Sequence, residues 1–291
     1  MPPRAKSLIL DLLSSVRRGS MPVRALVAAG NLFGIAGNSV RVALVRLLGS
    51  GLVERDERGR YRLGPDADAV NQRIRSWRRI ENAQIPWHGE WVGVHDAARP
   101  PARARSPRSR QKNPRALRFL GFRWLEADLA LRPANLRGGI AGVREQLRQL
   151  GLTPGALVFS LRELDAGTEA RAMALWDGAA LARAYEQSHR ALIASEGRLR
   201  RLPRDRAMAE SFLLGGKIIR QLALDPLLPE PIAPAAPRNR VLEAMRRYDG
   251  LGRECWADFL ASFGVPHLRA PADMRLGEAT GDWVAATGGI R

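Results

Sequence analysis

Near the start of the chain, apolar residues return every three or four positions. Leu8, Ile9, Leu12, Leu13 and Val16 share one stripe of a first helix, which the Arg17-Arg18-Gly19 run should stop. Val23, Leu26, Val27 and Phe33 mark the stripe of a second helix, running into Gly34, where the lack of a side chain permits a sharp turn. A third stripe, Val40, Ala43, Leu44, Leu47 and Leu48, follows Asn38 and Ser39, either of which suits an N-cap. The pattern then changes: Leu52 to Arg55 and Arg60 to Leu63 read as short strands joined by Asp56-Glu57-Arg58-Gly59. Three helices closed by such a hairpin predict a winged helix-turn-helix.

A linker helix is expected around Ala67 to Glu81, ending at Gln84-Ile85-Pro86 because proline favours an extended residue before it. Beyond Trp87, strands and helices alternate. Trp91 to Val94 reads as a buried strand, Leu117 to Leu120 as the end of a short helix, and Arg123 to Leu131 as a strand with bends. Ile140, Val143, Leu147 and Leu150 mark an amphipathic helix, and Ala156 to Phe159 a further strand. This order suits a ferredoxin-like α+β unit.

From Glu169 the pattern is helical, with Ala179 to Leu202 and Asp205 to Leu224 separated at Pro203. Gly215-Gly216 weakens the second helix by about 1 kcal/mol per glycine and points to close packing or a ligand contact. Asp225 to Pro231 reads as a rigid, proline-set crossing, Asn239 to Tyr248 as one more helix, and the tail beyond Leu268 as loosely ordered. The expected fold class is α+β multidomain. A winged helix-turn-helix with its linker covers 1–83, a ferredoxin-like domain 84–166, and a helical C-terminal domain 167–291.

Charge turns this outline toward a partner. The formal net charge is +18, and of 47 basic residues only Lys6, Lys112 and Lys217 are lysine. A high-GC genome explains arginine in place of lysine but not the excess of positive charge; an affinity for phosphate backbones does, since each neutralised phosphate releases counterions. On the exposed side of the third helix, Asn38, Ser39, Arg41, Val42, Val45 and Arg46 mix short polar, apolar and guanidinium groups, as a major-groove helix needs. Arg58, Arg60 and Arg62, near the hairpin tip and second strand, can reach flanking phosphates or a minor groove. The candidate DNA-binding residues are therefore Asn38, Ser39, Arg41, Val42, Arg46, Arg58, Arg60 and Arg62. Residues 99–118 add Arg99, Arg103, Arg105, Arg108, Arg110, Lys112, Arg115 and Arg118 without an acidic residue, either as a DNA-binding arm or as a solvated loop.

Other classes find less support. The apolar runs Leu8 to Leu13 and Val23 to Ala29 are broken by Asp11 and Arg24 and fall well short of the roughly 20 apolar residues of a membrane span. The Met1-Pro2-Pro3-Arg4 start does not read as a secretory signal, so the expected location is the cytoplasm. The lone Cys255 forms no internal disulfide, and His88, His95, His189 and His267 lack ligand spacing, so neither a metal nor a cofactor is expected. No Gly-x-Ser-x-Gly elbow, Walker loop or dinucleotide fingerprint occurs, and the protein is not expected to be an enzyme. Two alternatives stay open. Asp96, after the first strand of the middle domain, stands where a metal-dependent nuclease of that fold would place a carboxylate, though it also suits a strand-ending turn. A non-specific architectural nucleic-acid-binding protein would carry the same charge.

Several of these segments together resemble the phenylacetic-acid catabolism repressor (PaaX) family. In the DNA-binding part they are Val40 to Leu47, Gly51-Leu52-Val53 and Gly59 to Leu63. In the middle domain they are Trp87 to Trp91, the segment from Leu120-Gly121-Phe122 to Leu131-Arg132-Pro133, and Val158-Phe159. In the helical part they are Leu175 to Asp177, Tyr185-Glu186, Arg190 and above all Asp225 to Glu230. The resemblance implies a dimeric repressor of an aromatic-acid catabolic operon, bound to a double-stranded DNA operator and released by an acyl-CoA such as phenylacetyl-CoA. Arg123, Arg190 and Arg220 are candidate partners for the coenzyme A phosphates. The basic 99–118 segment and the lack of a tryptophan-glycine signature after Pro231 depart from the family pattern.

Overall fold

Leu8, Ile9, Leu12 and Leu13 are sealed from solvent. They line the inner side of α1 (Ala5–Ser15) in the computed structural model, which describes residues 3–16, 20–65, 67, 74–96 and 113–266. Two further helices, α2 (Val23–Leu32) and α3 (Gly37–Gly49), complete a three-helix cluster in which α3 packs on both others. α3 buries Val40, Leu44 and Leu47 as its periodicity predicts. α2 departs from its predicted stripe: Ala25, Leu26, Ala29 and Gly30 are buried, while Val23, Val27 and Phe33 stay half-exposed. The small residues let the helices approach closely, since a Cβ on Gly30 would lie 2.8 Å from Val40 Cγ2.

β2 (Val53–Arg55) and β3 (Arg60–Leu63) form the predicted antiparallel hairpin, with Val53 opposite Leu63. A two-residue strand, β1 (Met21–Pro22), joins the other side of β3. Two residues carry no legible period, so this strand could not be read from the pattern of residues. The expected linker helix is α-helical at Ile74 and Arg75 and continues as a 3₁₀ segment over Ser76–Ala83 that buries Trp77 and Ile80.

A second sheet contains β4 (Trp91–His95), β5 (Arg123–Trp124), β6 (Leu129–Pro133) and β7 (Leu157–Leu161), in the order β5-β6-β4-β7 with every neighbour antiparallel. With α4 (Asn113–Phe119) and α5 (Gly139–Gln149) between strands, the run is β-α-β-β-α-β. The bent strand expected over Arg123 to Leu131 is a hairpin, closed by the Leu125 N–H donating to the Leu129 carbonyl at 2.9 Å. Four helices follow: α6 (Ala166–Met173), α7 (Gly178–Leu199), α8 (Arg204–Ala223) and α9 (Ala235–Ser262). α9 runs well past the predicted Tyr248, because Leu251, Cys255, Trp256 and Leu260 extend its buried stripe across Gly250 and Gly252.

Packing groups the chain differently from its order along the sequence. The chain forms two compact units, one from residues 1–75, 188–220 and 242–291, the other from 76–187 and 221–241. α7, α8 and α9 each contribute to both units. Within the first unit an aromatic chain links Phe33 to Phe212 (5.4 Å between centroids), Phe212 to Trp256 (5.7 Å), Trp256 to Phe259 (5.3 Å) and Phe259 to Phe263 (5.1 Å). Gly215 faces Met245 there, its Cβ position lying 3.5 Å from Met245 Cε, an ordinary contact that leaves room for a methyl group. Burial pushes the Cys255 thiol up to about 12, so it packs as a small apolar group.

The second unit has its own core of Trp91, Leu131, Ala172, Trp176, Leu228, Ile232 and Ala233. Trp91 and Trp176 stack at 6.1 Å, and the Trp91 indole N–H donates to Glu169 at 2.9 Å. The Asp225 to Glu230 segment is held by side chains from elsewhere in this unit. Gln84 and Asn135 both donate to the Leu227 carbonyl, at 2.9 and 2.7 Å, and the Tyr185 hydroxyl donates to Asp225 at 2.5 Å. The buried Arg132 donates to the Leu120, Pro133 and Pro226 carbonyls and to the Asn135 side-chain oxygen. Burial and the neighbouring Asp225 both raise the Tyr185 hydroxyl, which stays a donor.

Among the described residues no helix is long and apolar enough to cross a membrane. Leu44→Ala should cost about 2–5 kcal/mol, because it opens a cavity between three helices. Leu157→Ala, at a side chain 63% exposed, should stay within about 0.5 kcal/mol. Urea denaturation of the two variants beside the parent checks both values; equal losses would contradict the placement of the core.

Candidate nucleic-acid interface

The turn into α3 passes through Gly34, whose φ of +70° lies in the left-handed region that glycine occupies without strain. The Ile35 N–H returns to the Gly30 carbonyl at 3.0 Å and fixes the angle between α2 and α3. α3 begins at Gly37 with Ala36 as N-cap and no side-chain capping bond. The capping role expected of Asn38 or Ser39 is therefore corrected: both lie inside the first turn, and both are exposed. Their short side chains and the uncapped first turn face outward together, an arrangement that favours anions.

With Val40, Leu44 and Leu47 inward, the outward side of α3 presents Asn38, Ser39, Arg41, Val42, Val45 and Arg46, all exposed. Val42 and Val45 are 43% and 68% exposed. A groove of about 370 Å³ runs between this helix and the start of α1, lined by Ala5, Lys6, Asn38, Ser39, Val42, Ala43 and Arg46. Lys6 was not foreseen as a site residue. Its place on the polar side of α1 was legible, but not that the beginning of α1 lies beside α3.

The hairpin arginines differ from one another. Arg58 sits exposed at the turn. Arg62 pairs across the strands with Glu54 at 2.8 Å. Arg60 is half-buried and works inside the fold: its guanidinium donates to the Ser20 carbonyl at 2.7 Å, to the Ser20 hydroxyl at 3.0 Å and to the Gly264 carbonyl at 3.2 Å. Nearby, the Arg24 guanidinium lies 5.8 Å from the Phe263 ring centroid. Arg60 is thus a strut that ties β3 to the segments around Ser20 and Gly264. The turn itself is drawn in by Asp56, which accepts from the backbone N–H of Arg60 at 2.8 Å and of Arg58 at 3.1 Å, with Gly59 at φ +73°. These bonds, that from Arg60 first, hold the Asp56 carboxyl below the ordinary carboxylate range.

The other candidates fall elsewhere. Of the proposed effector arginines, Arg220 pairs with Asp11 at 2.8 Å; burial lifts the Asp11 carboxyl, and Arg220 pulls it partly back. Arg190 is exposed on α7, and Arg123, exposed on β5, belongs to the other unit. Asp96 is buried at the end of β4, where its N–H donates to the Asp128 carbonyl at 3.0 Å. Among the described residues no three His, Cys, Asp or Glu gather as metal ligands. Of the basic 99–118 segment, residues 99–112 lie outside the described residues, while Arg118 is exposed on α4.

A three-helix cluster with a basic outward helix and a hairpin beside it thus makes up the N-terminal part. Residues 4–66 match the family model described as PaaX-like protein, a family of transcriptional regulators. No curated protein matches the chain. Among solved structures, the uncharacterized protein Rv0674 from Mycobacterium tuberculosis is similar in fold, with a TM-score of 0.50 and 23% identity over 84% of this chain and 97% of that one.

Acid should loosen the hairpin turn late. A depressed folded pKa means that Asp56 stabilises the turn fully above its unfolded value of about 3.9 and loses that effect as pH falls through the lower folded value. The NMR shifts of the Arg58 and Arg60 amides should therefore titrate only below about pH 4. A transition between about pH 5 and 6 would contradict this bonding.

Proposed function

We propose that the chain is a sequence-specific transcriptional repressor that grips double-stranded DNA as a homodimer and controls a catabolic operon. One observation carries the reading: α3 presents Asn38, Arg41, Val42, Val45 and Arg46 on its outward side, flanked by Lys6. Such a face can meet base edges in the major groove while its guanidinium groups and the lysine meet phosphates. The three helices and the β1-β3-β2 sheet support a winged helix-turn-helix. The β-α-β-β-α-β run with its β5-β6-β4-β7 order supports a ferredoxin-like reading of the second sheet. A two-fold dimer would place two copies of α3 about one helical turn of DNA apart and so call for a palindromic site.

The family likeness supports release by an acyl-CoA such as phenylacetyl-CoA, in the cytoplasm. Such an effector acts only by binding the DNA-free conformation more tightly than the DNA-bound one. Arg190 or Arg220 in the first unit, or Arg123 in the second, would meet its phosphates. An effector that took Arg220 would have to compete with Asp11 for it.

Footprinting on DNA upstream of the operon should show one bounded protected region; broad coating of every duplex would favour an architectural protein instead. Arg41→Ala or Arg46→Ala should weaken specific binding by about 1–3 kcal/mol where the side chain reaches a base. Where it reaches a phosphate, all sequences should weaken alike, with a salt slope lower by about one unit. Full operator affinity in both variants would remove α3 as the reading helix.

A further inference from the structure

The outward side of α3 has an apolar centre, which phosphate binding alone does not call for. Asn38, Val42, Val45 and Gly49 stand at i, i+4, i+7 and i+11 and therefore line up along one side of the helix. Charge flanks them: Arg41 on one edge, Arg46 with Ser39 and Lys6 on the other, and α3 carries no acidic residue. At the far end nothing lies within 4 Å of where a Gly49 Cβ would be, so the stripe stays open to a close approach.

Resting on the DNA-binding reading above, we propose that Val42 and Val45 read thymine. The thymine 5-methyl is the apolar feature that the bases themselves offer in the major groove. A valine on a helix is held in one main rotamer, so its methyls are set in place before contact and little entropy is lost on binding. Val42 and Val45 lie about 4.5 Å apart along the helix axis, close to the roughly 3.4 Å between successive bases of a strand. The pair therefore addresses neighbouring thymines, while Arg41 and Arg46 hold the strands on either side. A second copy of the chain is a poorer occupant, because a two-fold contact through this face would set Arg41, Arg46 and Lys6 against like charges.

The test uses the full chain. A preferred duplex is first selected from a random pool, and each thymine in it is then replaced by uracil, which lacks only the methyl. Affinity should fall roughly fourfold per contacted methyl at one or two positions of each half-site. Val45→Ala or Val42→Ala should abolish the uracil effect at one of those positions and leave the others unchanged. Equal affinity for the thymine and uracil forms of a selected site would overturn the proposal while leaving sequence-specific binding intact. Failure to select any site would sink the repressor reading itself. Sedimentation of Val45→Ala gives the remaining outcome: a changed oligomeric state together with uracil-insensitive binding would assign this face to a second copy and also overturn the proposal.

Discussion

Everything at the candidate interface depends on the burial of Val40, Leu44 and Leu47 of α3 against α1 and α2. Each such side chain contributes about 1.5–3 kcal/mol when fully removed from water. The contribution matters less than the direction it imposes. Successive residues turn by about 100° around the helix, so once these three point inward Asn38, Val42 and Val45 have only the outward side left to them. The rotation of α3, which decides what DNA could meet, is set by residues that never touch a partner.

A second layer of constraint is polar. Many of the arginines behind the +18 charge are spent inside the fold. Arg60 braces β3 through Ser20 and Gly264, Arg62 pairs with Glu54, Arg220 pairs with Asp11, and the buried Arg132 satisfies carbonyl and amide oxygens. The guanidinium of Arg132, buried as it is, would cost several kcal/mol if left unmatched, so its partners are a condition of the fold, whereas the exposed pairs of Arg62 and Arg220 add little. The basic groups on the outward side of α3 and at the beginning of α1 differ in kind, because they gather around an apolar strip in a shallow groove.

The foremost segment of the family resemblance in the helical part, Asp225 to Glu230, is architectural. Gln84 and Asn135 grip its backbone at the Leu227 carbonyl, Tyr185 holds the Asp225 carboxylate, and Leu228 enters the core of the second unit. The family match itself, over residues 4–66, falls on the part that carries the candidate interface. The two ends of the resemblance thus answer to different physics, packing in one case and presentation of a surface in the other.

Local periodicity by itself determined the three N-terminal helices, the hairpin, the alternating elements after Trp87 and the outward face of α3, because a buried stripe leaves its opposite side legible. Tertiary structure alone decided the rest. The pairing of β1 with β3, the closeness of Lys6 to Arg46, the strut role of Arg60 and the full length of α9 all depend on residues distant in sequence. So does the sharing of α7, α8 and α9 between two units. A one-dimensional pattern states which side of an element avoids water; which neighbour covers that side follows only from shape and charge meeting in three dimensions.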